Sequence, residues 1–267
     1  MIKTVEVSSL EELMPILTDQ EYRTDIDRYR TEYIYRGIPD SSFRMTTSLY
    51  RNCKHLQKKL EPAILRNFTK YAALSDPAIE KSVWRQMILG QHYGLPTRLL
   101  DWTHSPLIGL HFAVTEDDMD MMSERDCVLW RVDMTELHQL LPDKYRAVLA
   151  KDDTVIFSMD KLEQVASSLA EYDEDMQDKA MVVIEPPSVD PRIINQYSFF
   201  SAVPSGMSDV EVFLDRMTEK TIRYVIHKEI RWKLRDMLDQ INISERIVYP
   251  GLDGLSKWLG RHYFVKN

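Results

Sequence analysis

A single run, Gly90-Gln91-His92-Tyr93-Gly94-Leu95-Pro96-Thr97-Arg98-Leu99-Leu100-Asp101-Trp102-Thr103-His104-Ser105-Pro106, concentrates the polar chemistry of this chain. Glutamine, histidine, arginine and aspartate sit there beside Leu99-Leu100 and Trp102, a mixture that neither a solvated loop nor a plain core segment carries. Such polar groups are buried or half-buried, and each needs a partner. The run therefore reads as a ligand or catalytic site, with a purely structural network as the competing interpretation. His92 has the chemistry of a general base. Gln91 can orient a ligand amide, Tyr93 and Trp102 offer flat faces for stacking, and Arg98 and Asp101 have the spacing of an ion pair. Upstream, Arg36 presents a rigid fork suited to phosphate, and Gly37 beside it leaves room for a ligand at the backbone. A salt bridge from Arg36 to Asp101 is the alternative. Downstream, Gln196 fits a site better than a core, because a buried amide needs four partners.

Other chemistries are disfavoured. His92, Asp101, His104 and His111 match no zinc spacing, so no metal is expected and His111 reads as a core histidine. There is no Gly-x-Ser-x-Gly elbow, no GxGxxG and no Walker sequence. Cys53 and Cys127 make neither a disulfide framework nor a zinc pattern, which fits a reducing cytoplasm. The chain has 267 residues, 44% of them hydrophobic, enough for one domain with a real core. A net charge of -8 disfavours non-specific grip on nucleic acid, and no window is apolar enough to span a membrane.

The elements that must position these residues follow from pattern. Val5 and Val7 suggest a short strand within an otherwise helical lead-in over residues 1–25, its helix capped near Ser8 and running to Leu17. Tyr33–Arg36, Val128–Val132, Ala180–Ile184, Gln196–Val203 and Thr221–Ile226 read as strands. Leu60–Leu74, Ala78–Leu89, Met134–Leu141, Leu162–Leu169 and Lys228–Asp239 read as helices. Ser105-Pro106 opens another through Val114, with a capping serine and proline at the first helical position. Glu116–Asp126 and Glu171–Lys179 are expected to be solvated connections. The sum is an α+β domain, a mostly antiparallel mixed sheet with helices packed on it. The segment Lys228–Arg235 is basic and holds Trp232, the composition of a single-strand nucleic-acid surface or of a solvated helix with a buried tryptophan.

Tyr35-Arg36-Gly37, the run from Gly90 to Thr103, the helix Ser105–Val114, Arg192–Phe200 and Tyr249–Leu255 together resemble the FRG domain family, named for its Phe/Tyr-Arg-Gly motif. Ser198 stands where that family usually has glycine. The resemblance implies a single FRG-type domain over residues 1–267 and a setting in toxin or phage-defence systems. A more distant likeness to mono-ADP-ribosyltransferases implies an NAD-using enzyme, a transferase or glycohydrolase. On that likeness Arg36 takes the strand arginine, Thr46-Thr47-Ser48 the Ser/Thr strand, and Asp101 or Glu185 the acidic residue facing the ribose. The catalytic set expected is Arg36, His92, Asp101 and Gln196. The expected ligand contacts are Gly37, Thr47, Ser48, Gln91, Tyr93, Arg98, Trp102 and Thr103. NAD would be the substrate, a protein or nucleic acid the acceptor, and a regulatory protein an additional partner. A non-catalytic nucleotide- or nucleic-acid-binding sensor is the alternative.

Overall fold

The computed structural model describes residues 1–188 and 190–266. Its frame is an eight-stranded mixed sheet. In chain order the strands are β1 (Lys3–Val7), β2 (Tyr33–Ile38), β3 (Leu99–Thr103), β4 (Cys127–Asp133), β5 (Phe157–Ser158), β6 (Val182–Glu185), β7 (Ser198–Ala202) and β8 (Ile222–Ile226). In space they run β1-β8-β4-β2-β3-β7-β6-β5. Only the outermost pairs, β1 with β8 and β5 with β6, are parallel. The helices that matter for the site are α1 (Ser48–Cys53), α2 (Gln57–Ala72), α3 (Val83–His92), α4 (Pro106–Ala113), α5 (Leu169–Met176), α6 (Pro191–Asn195), α7 (Lys228–Gln240), α8 (Glu245–Val248) and α9 (Leu252–His262). The expected α+β architecture, mostly antiparallel with packed helices, is the one found.

Strand alternation sorts the core. Ile34, Leu100, Trp102, Val128, Trp130 and Val132 enter one apolar cluster. Tyr33, Tyr35, Cys127 and Leu129 enter a second, covered by Leu110 and Ala113 of α4 and Leu234 and Leu238 of α7. Leu99, Val182, Ile184 and Phe200 enter a third, under Trp84, Met87 and Ile88 of α3. The second and third clusters meet at the boundary between β2 and β3. That boundary is weakly zipped: the two strands pair at one register position, Tyr35 with Thr103.

Several expectations need correcting. Within the polar run, to which pattern assigned no element, Leu99–Thr103 is a central strand, and Gly94, just before it, has a φ of +80°. The N-terminal lead-in begins with β1, which lies at an edge of the sheet. Thr46-Thr47-Ser48 is no strand: Thr47 N-caps α1, accepting from Tyr50 N at 3.1 Å. Gln196 lies outside β7, at the end of α6. Glu171–Lys179 is mostly α5, which buries Tyr172 and Met176. No helix among the described residues is long and apolar enough to cross a membrane.

Gly37 has a different job from the one expected. A Cβ there would lie 2.8 Å from Phe112 C and closer still to Gly109 O and Ala113 N, so the space belongs to α4 rather than to a ligand. Gly109 answers from the helix, where a Cβ would fall 2.7 Å from Leu129 Cδ1 and 3.0 Å from Tyr35 Cβ. The clash at Gly37 is with backbone and cannot be relieved by a rotamer change. Gly37→Ala should therefore cost about 3 kcal/mol or more. Gly94→Ala meets no atom within 4 Å and should cost about 1 kcal/mol for its positive φ alone. Urea unfolding of the two variants checks the order.

Candidate functional site

Past Tyr35 and Thr103 the two central strands part, and a cleft of roughly 360 Å³ opens over the split. Arg36 and Gly37 of β2 and Asp101 and Trp102 of β3 line it. Gln91 enters from the end of α3, Phe112 from α4, Arg192 and Gln196 from α6 and its C-terminus, and Ser198 from β7. Splitting a sheet strips carbonyls of their ladder partners, and a buried orphan is costly. Here Arg36 Nη1 donates to Asp101 O at 2.5 Å. The same nitrogen lies 3.7 Å from Asp101 Oδ2, so the expected Arg36–Asp101 link exists, chiefly through the backbone. Four-fifths of the Arg36 side chain is buried and its Nε has no partner. Burial pulls its pKa down, with the Asp101 charge opposing that shift.

The Asp101 carboxylate is held from the other side by Gln91, whose Nε2 lies 3.0 Å from each oxygen. Thr97 Oγ1 donates to Gln91 Oε1 at 2.5 Å, which fixes which end of the amide faces Asp101. The carboxylate remains 57% exposed, so it is positioned without being consumed. Gln196 is similarly oriented: its Nε2 donates to Val248 O at 3.3 Å, leaving Oε1 free on the cleft side. Thr103 supports it by donating to Gln196 O at 2.7 Å. Across the opening, the Arg192 guanidinium lies 4.9 Å from the centre of the Tyr249 ring, and that ring packs edge-on against Phe112. Burial raises the Tyr249 hydroxyl's pKa, with Arg192 acting against it.

The structure thus brings together Arg36, Gly37, Gln91, Asp101, Trp102 and Gln196. It does not bring the rest. His92 turns away and lies 3.5 Å from Asp190, because the next step along α3 points it about 100° from Gln91. Tyr93 is 71% exposed and stacks edge-on with His92. Arg98 does not pair with Asp101; it is buried, with Nε 2.8 Å from Glu61 and Nη1 2.6 Å from Asp173. Those bonds overcome burial and raise its pKa. Thr47 and Ser48 serve the start of α1 and the Thr97 backbone. Thr103 is buried and structural, and Trp102 is a core residue, nearly fully buried, whose Nε1 donates to Ser201 Oγ at 2.9 Å. Glu185, at the end of β6, is not among the cleft residues. Among the described residues no three His, Cys, Asp or Glu side chains converge on a point that could hold a metal.

Sequence reasoning missed Arg192 and Phe112 as lining residues and Tyr249 as the ring packed against both, although all three lay in blocks already singled out by motif. The profile of the FRG domain matches residues 31–121. The chain carries an FRG domain. No curated protein and no solved structure matches the chain. The matched stretch supplies β2, β3, α3 and α4, hence Arg36, Gln91, Asp101 and Phe112. Arg192, Gln196 and Ser198, which close the cleft, come from beyond it.

Behind the Tyr249 wall lies a second buried network. Arg261 grips Glu245 and Asp239, each through two bonds of 2.7–2.8 Å. Arg235 Nη1 lies 2.8 Å from His111 Nδ1. Burial, then the Arg235 charge, drive the His111 pKa down to about 3, and its Nε2 has no partner. For Glu245, burial alone would raise the pKa, but the bonds from Arg261 hold it at about 2. The unfolded chain then binds more protons than the folded one between about pH 6.5 and 3 at His111, and between about 4.5 and 2 at Glu245. Stability should fall as pH falls through both windows. His111→Gln should flatten the decline between pH 6.5 and 4.5 and leave the lower one, as denaturant unfolding at stepped pH would show.

Proposed function

We propose that the cleft of this FRG domain binds a nucleotide and, as its reaction, breaks the N-glycosidic bond of NAD. The observation that carries the reading is Asp101, an exposed carboxylate pinned by Gln91 and Arg36 inside a cleft with a second guanidinium, Arg192, and an aromatic wall at its rim. Arginine forks suit the pyrophosphate. Phe112, backed by the Tyr249 ring, suits a flat base. A volume near the lower end of the ligand-pocket range of about 300–1,000 Å³ would enclose one half of a dinucleotide and leave the other at the opening. When the bond between ribose C1′ and the nicotinamide nitrogen breaks, the electron pair leaves with nicotinamide and positive charge develops on the ribose. A fixed carboxylate stabilises that charge without reorganising. Water or an acceptor hydroxyl then adds at C1′ and loses its proton to solvent. Gln196 Oε1 is free to accept from a ribose or amide donor.

The test is nicotinamide release from NAD by the purified chain, alone and with cell lysate. Asp101→Asn and Arg36→Ala should each lower the rate by about 100-fold or more, with melting curves showing folded protein. His92→Ala should keep the rate, because His92 lies off the cleft. Nucleotide binding seen by calorimetry without release in either condition would overturn the enzymatic reading and leave a sensor. Full activity in Asp101→Asn would overturn the assignment of the carboxylate.

A further inference from the structure

One stretch of this acidic chain is strongly basic. Residues 41–75 hold seven Lys and Arg against one acid, Glu61. Glu61 is buried and already consumed by Arg98. Arg44 pairs with Asp209. Among the described residues, none of the remaining six, Arg51, Lys54, Lys58, Lys59, Arg66 and Lys70, has an acidic partner within ion-pair distance, and all six are exposed. Lys59, Arg66 and Lys70 are seven and four residues apart on α2, so they share a face and span about 16 Å along the helix. Beside Arg66 and Lys70 runs an open groove between α2, α3 and the start of α5, of about 740 Å³. Phe43 and Tyr71 are more than half exposed near either end of the segment.

We propose that the α1–α2 ridge is a docking surface for single-stranded nucleic acid. Unpaired cations in a row neutralise successive phosphates and release counterions, whatever the sequence. Exposed aromatic rings beside a basic track give unstacked bases a platform. An anionic membrane surface fits less well. An interfacial helix needs an apolar face to insert, and the inward face of α2, with Leu65 and Thr69, is already spent on the protein. The basic segment of α7 is excluded from this role, because Arg231 and Arg235 are fully buried and Trp232 stacks on Phe264 at 5.8 Å. This proposal stands apart from the reading of the cleft, and its test does not involve NAD.

The experiment is fluorescence anisotropy of a labelled twenty-nucleotide single strand, as RNA and as DNA, with the full chain at 50 and 200 mM salt. Binding should weaken about 16-fold or more across that range if three or more phosphates are contacted, from a slope of about -0.7 per phosphate. The triple variant Lys59→Glu/Arg66→Glu/Lys70→Glu should lose at least about tenfold in affinity and flatten the slope by about 2. Lys151→Glu/Lys179→Glu, which reverses exposed charges elsewhere, should bind as the parent does. Melting temperatures show whether each variant is folded. Equal losses in the two variants, no binding by the parent, or tighter binding of the parent to phosphatidylserine vesicles than to either strand would each overturn the proposal.

Discussion

The close crossing of α4 over β2 is the contact on which the rest of this molecule turns. A glycine stands on each side of it: Gly37 leaves no room for a methyl group against the α4 backbone, and Gly109 sits tightly against the Leu129 and Tyr35 side chains. The approach lets a helix that is apolar on nearly every side sink into the sheet, with Ile108, Leu110, His111 and Ala113 all buried. Its C-terminal end then delivers Phe112 to the rim of the split between β2 and β3. A larger residue at Gly37 would collide with the α4 backbone and push the helix that carries Phe112 away from the strand. The Tyr-Arg-Gly motif is therefore two devices in consecutive positions. The glycine sets the depth of the helix, and the arginine supplies the donor that the parted strands lack.

That second device has an energetic logic. A central sheet position normally satisfies its carbonyls through the neighbouring strand, and leaving one bare in a half-buried site costs about 1–3 kcal/mol. Arg36 offsets the loss at Asp101 O while placing a cation beside the Asp101 carboxylate. The split is thus stabilised by the same side chain that gives it a charge. Gln91 completes the arrangement, and it is itself oriented by Thr97, so the order runs from turn to amide to carboxylate.

Much of this was legible in the chain. Ser105-Pro106 announced α4, whose first turn is capped by Ser105 as its type requires. Val128–Val132 and Thr221–Ile226 matched β4 and β8 closely, because buried strands carry continuous β-branched and aromatic runs. Arg36, Gln91, Asp101 and Gln196 were singled out by polar type in apolar surroundings, and the fold brings all four to one cleft. The failures share a cause. Arg98 and Asp101 are close in sequence but belong to different environments, since Arg98 precedes β3 and meets two carboxylates from distant helices. His92 adjoins Gln91, but one step along a helix rotates a side chain by about 100°. Glu171–Lys179 looked solvated because its charge hid Tyr172 and Met176, whose spacing of four is the helical signal. Sequence proximity gives the residue inventory of a site. It does not give the partner, which tertiary structure chooses.

The arginines and lysines of this chain divide along physical lines. Arg98, Arg231, Arg235 and Arg261 are buried, and each is met by carboxylates or carbonyls from other elements. The planar, weakly hydrated guanidinium tolerates burial and can bridge several acceptors at once. Such bridges add little net stability over apolar packing, but breaking one leaves a charge unpaired, so they select one arrangement of helices over others. Lysine, strongly hydrated, cannot substitute there and stays at the surface. On a chain of net charge -8 the buried cations have used nearby acids, and the exposed lysines of α2 are left without any. The positive face is in this sense a by-product of how the core was specified. An anion approaching this face would meet local attraction despite the net negative charge of the chain.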